Sequence, residues 1–137
     1  MECALCDELN NTYRVIEKNS DVAVITNYEP IMKGHLMVLP VRHVQELSEL
    51  NPTEAKAIFD MIQTTSTMLT KTYKKDCVIF YNRGKHASQP HLHMHVVPMD
   101  EMLRETMAKA YNINPRQRIS KEELVKIREE ILKGREN

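Results

Sequence analysis

A chain of 137 residues, 42% hydrophobic and 28% charged, suits a globular domain that buries its own core without disulfides or an obligatory metal. Lys+Arg and Asp+Glu both total 19, and this zero balance argues against a nucleic-acid groove or an anionic membrane surface as partner. No apolar run approaches the ~20 residues of a membrane helix. The N-terminus MECALCDELN lacks the basic region of a secretory signal, so a cytoplasmic setting is expected.

Cys3-x-x-Cys6 opens the chain, and with Cys77 it makes an odd set of three cysteines. A reducing compartment fits best, with the pair holding a metal, doing redox work or simply free. Tyr13–Glu17 and Val22–Thr26 are β-branched runs around a polar turn and predict a hairpin. After the connector Asn27-Tyr28-Glu29-Pro30, His35–Pro40 predicts a third strand, ended by proline. Arg42–Leu47 reads as a turn or short helix.

Next comes the clearest helix. Asn51 caps it, Pro52 takes the first helical position, and Glu54 stands three residues after the cap. Ala55, Ile58, Phe59, Ile62, Leu69 and Tyr73 then form an apolar stripe, with Ser66 its one polar member. Cys77–Asn82 predicts strand four, Arg83–Pro90 a polar loop, and His91–Pro98 strand five. Asp100 is expected to start a helix running to Ala110, and Ser120 with Glu123 to box the start of another, which Gly134 would end. Strands, one long helix, more strands and then helices predict an α+β fold with an antiparallel sheet.

His91, His93 and His95 alternate with Leu92, Met94 and Val96. Side chains on a strand point to opposite faces in turn. The imidazoles should therefore share one polar face while the apolar set packs on the long helix. Alternate residues lie about 6.6 Å apart, so each histidine can do a separate job. Such a strand suits a metal site or a nucleophile, because neutral imidazole can attack phosphorus near pH 7.

The segment from Asn82 through Pro98, NRGKHASQPHLHMHVVP, resembles the signature of the histidine-triad family. Asn27-x-x-Pro30 followed by Gly34-His35-Leu36-Met37-Val38-Leu39-Pro40, and Cys3-x-x-Cys6, resemble two further family motifs. The resemblance covers residues 1–100, leaving 101–137 as a C-terminal helical extension expected to pack on the same domain. It implies a sheet of about five strands with one long helix on it, pairing as a homodimer. It implies that His93 is the nucleophile, that His95 touches the phosphate or its leaving group, that Asn27 meets the ribose, and that Asn82 and Gln89 contact phosphate. It also implies a structural zinc on Cys3, Cys6, His43 and His91. The substrate it implies is a nucleotide, with a purine as the family's common choice. Asn27, in place of Asp, is similar to the branch that cleaves dinucleoside polyphosphates.

One departure stands out. Only Pro90 separates Gln89 from His91, and Ser88 replaces the family's glycine, so the phosphate loop is shorter and Ser88 could take part of the role of Gln89. Cys77 reads as core, His35 as a structural histidine and His86 as a surface residue. Arg83 and Lys85 could attract polyphosphate, although loop cations are usually just solvated. The expected activity is hydrolysis of a nucleoside phosphoramidate or dinucleoside polyphosphate through a nucleotidyl-His93 intermediate. The alternatives are a nucleotide phosphorylase or nucleotidyltransferase, and a non-catalytic nucleotide-binding adaptor.

Overall fold

The computed structural model describes residues 3–136. They divide after Met102 into two compact units. The first holds a short helix α1 (Ala4–Glu8), strands β1 (Val15–Lys18), β2 (Val22–Thr26) and β3 (Leu36–Pro40), the long helix α2 (Pro52–Tyr73), and strands β4 (Cys77–Phe80) and β5 (Met94–Pro98). The strands form one antiparallel sheet in the order β1-β2-β3-β5-β4. The fold class is therefore the expected α+β one. No helix among the described residues is long and apolar enough to cross a membrane.

Each face of the sheet has its own cover. Val22, Val24, Leu36, Val38, Leu92 and Val96 pack against Ile58, Met61, Ile62 and Leu69 of α2. On the other face Ala23, Ile25, Met37 and Leu39 pack against Cys3, Leu5 and Leu9 around α1. The alternation along β2, β3 and the histidine segment thus serves two cores, one per face.

Helix α2 starts where the sequence places it. Asn51 Oδ1 accepts from the Glu54 amide, and the Glu54 carboxylate accepts from the Asn51 amide. The buried stripe differs from the expected one: Met61 and Thr65 join Ile58, Ile62 and Leu69, whereas Phe59 is 74% exposed. Phe59 is absent from the core under α2 and lines an apolar groove instead.

Four strands are shorter than expected, β3 by His35 alone. β5 begins at Met94, leaving His91, Leu92 and His93 outside the ladder. Other groups take the backbone partners there: the Pro40 carbonyl accepts from His91 Nε2, and the Val44 carbonyl accepts from the Leu92 amide. Pro40 has no N–H to extend the pairing. β4 ends at Phe80, opposite His95, one residue before the start of β5 at Met94. β1 starts at Val15 rather than Tyr13, since a turn carries the Arg14 amide to the Asn11 carbonyl.

Gly34 adopts a φ of +93°, and a Cβ there would stand 2.5 Å from Cε2 of Tyr73. Glycine is required on both counts. It lets the 27–35 connector lie against the end of α2.

The second unit holds α3 (Leu103–Tyr111) and α4 (Lys121–Glu136). Ser120 Oγ caps α4 by accepting from the Glu123 amide. Gly134 does not end α4, which runs on through it to Glu136. Its φ is not positive, so no left-handed cap forms.

Candidate functional site

The three histidines reach three different surroundings, and all are buried: His91 to 1%, His93 to 4% and His95 to 8% exposure. Each buried ring then needs a partner for its nitrogens, and the partners fix the protonation pattern.

His93 Nδ1 lies 2.8 Å from the carbonyl oxygen of His91. A carbonyl only accepts, so Nδ1 carries the proton and Nε2 keeps its lone pair. The ring lines a cavity of about 190 Å³ with Asn82, Gln89, Gly84, Tyr81 and Glu46. Asn82 and Gln89 thus share the cavity with His93, whereas Ser88 is exposed and not among the lining residues. Whole-ligand pockets run to roughly 300 Å³ and more, so this volume suits a phosphate group better than a complete nucleotide.

His95 belongs to a second chain of contacts. The Ile31 amide donates to His35 Nδ1 at 3.1 Å, which places the His35 proton on Nε2. His35 Nε2 then donates to His95 Nδ1 at 2.8 Å, which leaves the His95 proton on its Nε2. Burial first, then the charges of His93 and His35, pushes His95 down to about 4, so it stays neutral near pH 7. Burial also lowers His35. The His95 ring stacks on Phe80 at 4.6 Å between centroids and meets the His93 ring edge-on at 4.9 Å. Asn27 stands at the end of β2, where its Oδ1 accepts from the Glu29 amide and its Nδ2 lies 3.5 Å from His35 Nε2.

His35 and Phe80 are therefore part of the site, and the sequence reading missed both. His35 was legible in part, because it shares parity with Met37 and Leu39 on the α1 face of β3. Its pairing with His95 depends on the β3–β5 register, which sets Met37 opposite His95. Phe80 depends likewise on the β4–β5 register. His86 is exposed, as expected of a surface residue.

His91 also borders the cavity that His93 lines, but its ring nitrogens are engaged elsewhere. Its Nε2 donates to the Pro40 carbonyl at 2.8 Å, so Nδ1 is the free acceptor. That nitrogen lies 3.5 Å from Cys3 Sγ and 3.3 Å from Cys6 Sγ, and His43 Nδ1 lies 3.4 Å from Cys6 Sγ. The four donor atoms all fall within 4.8 Å of one another. Tetrahedral zinc with its usual bond lengths puts S and N ligands about 3.6 Å apart, so the donor set fits a divalent cation of that kind. His43 Nε2 is buried without a partner among the described residues, so the sulfur cluster is what orients that ring. Local structure assembles the set. Cys3 Sγ caps α1 by accepting from the Cys6 amide, which brings both sulfurs to one side. Arg42, beside His43, holds the buried Glu54 carboxylate through two nitrogens at 2.9 and 2.7 Å. Burial first, then the hydrogen bond and charge of Cys3, pushes the Cys6 thiol up to about 11. A cation between the sulfurs would relieve that pressure.

A family model described as HIT domain matches residues 8–102. The chain is 32% identical over 79 residues to the asymmetrical bis(5'-nucleosyl)-tetraphosphatase of Schizosaccharomyces pombe, covering 56% of this chain and 43% of that protein. It is 32% identical over 91 residues to the bis(5'-adenosyl)-triphosphatase of Saccharomyces cerevisiae, covering 64% of this chain and 44% of that one. It thus spans less than half the length of these curated relatives. Among solved structures, a zinc-bound histidine triad family protein from Mycobacterium smegmatis superposes with a TM-score of 0.66 at 22% identity, covering 74% of this chain and 77% of that one.

Proposed function

Because the chain belongs to the HIT-domain family, we propose that it is a nucleotide hydrolase that cleaves dinucleoside polyphosphates through a nucleotidyl-His93 intermediate. One observation carries this reading: the His91 carbonyl holds the His93 proton on Nδ1, so Nε2 is bare on a ring that lines a phosphate-sized cavity. The names of the two yeast relatives point to the same substrate class.

In the first step the Nε2 lone pair of His93 attacks the phosphorus next to one nucleoside. A P–N bond forms, the P–O bond to the rest of the polyphosphate breaks, and the second nucleotide leaves. Asn82 and Gln89 donate to phosphoryl oxygens, and His95 Nε2–H donates to the oxygen that gains charge. A His95 ring held neutral can give this hydrogen bond but is a poor source of a whole proton. That favours an anhydride, whose leaving group departs as an oxyanion, over a phosphoramidate, whose amine must be protonated. In the second step water attacks the same phosphorus, the P–N bond breaks and His93 is restored. Asn27 Nδ2 contacts the ribose of the retained nucleoside, for which a purine base is the family's common choice. Ser88 is exposed and outside the cavity lining, and no observation supports a share for it in the role of Gln89.

Cys3, Cys6, His43 and His91 would hold a zinc ion. When bound it ties α1 and the 41–46 segment to the residue whose carbonyl orients the nucleophile. None of the three cysteines is in a disulfide, which suits a reducing, cytoplasmic setting. A homodimer fits the exposed surface: β4 is an edge strand with Ile79 exposed, and Phe59 of α2 stands beside an apolar groove of about 420 Å³.

The test is hydrolysis of dinucleoside tri- and tetraphosphates by the wild type and by His93→Ala. Turnover to a nucleoside monophosphate by the wild type alone is expected. Full activity in the variant would refute the scheme. Nucleoside diphosphate gained only on adding inorganic phosphate would point instead to a phosphorylase.

A further inference from the structure

The cavity beside His93 has one formally charged carboxylate in its wall, Glu46. A carboxylate is a poor neighbour for phosphate, because like charges repel. It is not alone: Arg83 Nε donates to Glu46 Oε2 at 3.3 Å. Glu46 comes from the segment after β3 and lines the cavity, and Arg83 comes from the segment after β4 beside the lining residues Asn82 and Gly84, so the pair joins two segments at the cavity's edge. Nothing in the nucleophile's own chemistry uses it.

Comparison with Arg42 and Glu54 shows what kind of pair it is. That pair is a two-nitrogen fork on a carboxylate only 5% exposed, as a structural tie should be. Arg83 and Glu46 meet through Nε alone, with side chains 75% and 41% exposed. An exposed single-contact pair is weak, and a stronger anion displaces it. The two terminal nitrogens of Arg83 stand outside the contact, and a guanidinium suits two phosphate oxygens at once. A phosphate chain leaving His93 is such an anion.

We propose that Arg83 is the clamp for the departing phosphate chain and that Glu46 competes with phosphate for it, so that the pair sets how many phosphates the site accepts. This rests on the polyphosphate reading above. Each added phosphate gains attraction from Arg83 and meets repulsion from Glu46. Removing the carboxylate therefore favours longer chains, and removing the guanidinium favours shorter ones.

The experiment is calorimetric binding of inorganic tripolyphosphate and tetrapolyphosphate to the full chain and its variants. Glu46→Gln is expected to raise the ratio of tetra- to tripolyphosphate affinity about two- to fivefold, the range for an exposed charge pair. Arg83→Gln lowers that ratio by a similar factor, and Arg83→Lys restores part of it. Glu46→Gln moves the ratio less when Arg83→Gln is already present, and every shift shrinks as salt rises. A ratio unmoved by either variant overturns the proposal, as does a wild type that binds neither polyphosphate. Turnover of dinucleoside tri- and tetraphosphates is the separate arm. A wild type that binds polyphosphate with the predicted ratios but hydrolyses nothing refutes the hydrolase reading and leaves the clamp standing.

Discussion

Leu92 and His93 are neighbours in the chain and serve opposite faces of one sheet. Leu92 joins the apolar core under α2 with Val38 and Val96. His93 enters the polar face, where each buried ring has a specific acceptor or donor. The apolar side is held by contact area, which many side chains supply and which weakens in proportion to what is removed. On the face that also carries the α1 core, the histidines are held by hydrogen bonds that each fix one nitrogen, so a single change there alters chemistry more than stability. Substitutions on the two faces should therefore separate activity from folding.

The largest effect belongs to the polar face. His93→Ala should lower kcat by about a thousandfold or more, as loss of a nucleophile does, with little change in Tm. Steady-state hydrolysis and thermal melts on the same preparation check both halves. Leu92→Ala should do the reverse, costing about 2–5 kcal/mol of unfolding free energy for a buried leucine, measured by denaturant titration. If His93→Ala unfolded the protein as readily as Leu92→Ala, the division between the faces would fail.

Acid should sharpen the contrast further. The folded pKa of His95 lies near 4, below the ordinary value of 6.5. The unfolded chain therefore takes up a proton that the folded chain refuses. Stability is full above about pH 6.5 and falls as pH drops towards 4, by on the order of 3 kcal/mol for this group. His35 and His91, both lowered mainly by burial, act in the same direction. Melts from pH 7 to 4 should show the decline, and His95→Gln should flatten it. A slope unchanged by that substitution would place the acid sensitivity elsewhere.

The smallest effect sits at Gly34, in the connector between β2 and β3. Gly34→Ala forces a side chain into a positive φ and against Tyr73. It should cost about 1–2 kcal/mol and raise KM more than it lowers kcat, because Asn27 sits on the displaced connector. A drop in kcat with KM unchanged would mean that the connector does not position the ribose.

Much of this is legible in the amino-acid sequence. Asn51, Pro52 and Glu54 mark the start of α2 because capping is local chemistry. The alternation in LHMHV assigns the two faces because a strand has period two. What escaped notice depends on neighbours distant in sequence. The His35–His95 bond and the Phe80 stack exist only once β3, β5 and β4 are in register. Phe59 follows the helical period yet lies exposed, because period says which side of a helix a residue is on and not which residues of the rest of the chain come to cover it. His91 and His93 leave the ladder because the Pro40 and Val44 carbonyls are taken by the histidine segment itself, which no local propensity encodes.

Mass spectrometry of the protein quenched within its first turnovers on a dinucleoside polyphosphate tests the nucleophile most directly. A nucleoside monophosphate attached to the peptide that carries His93, and lost in His93→Ala, is the predicted result. An active wild type whose adduct maps to another residue, or that hydrolyses substrate with no adduct at any time point, would contradict the account.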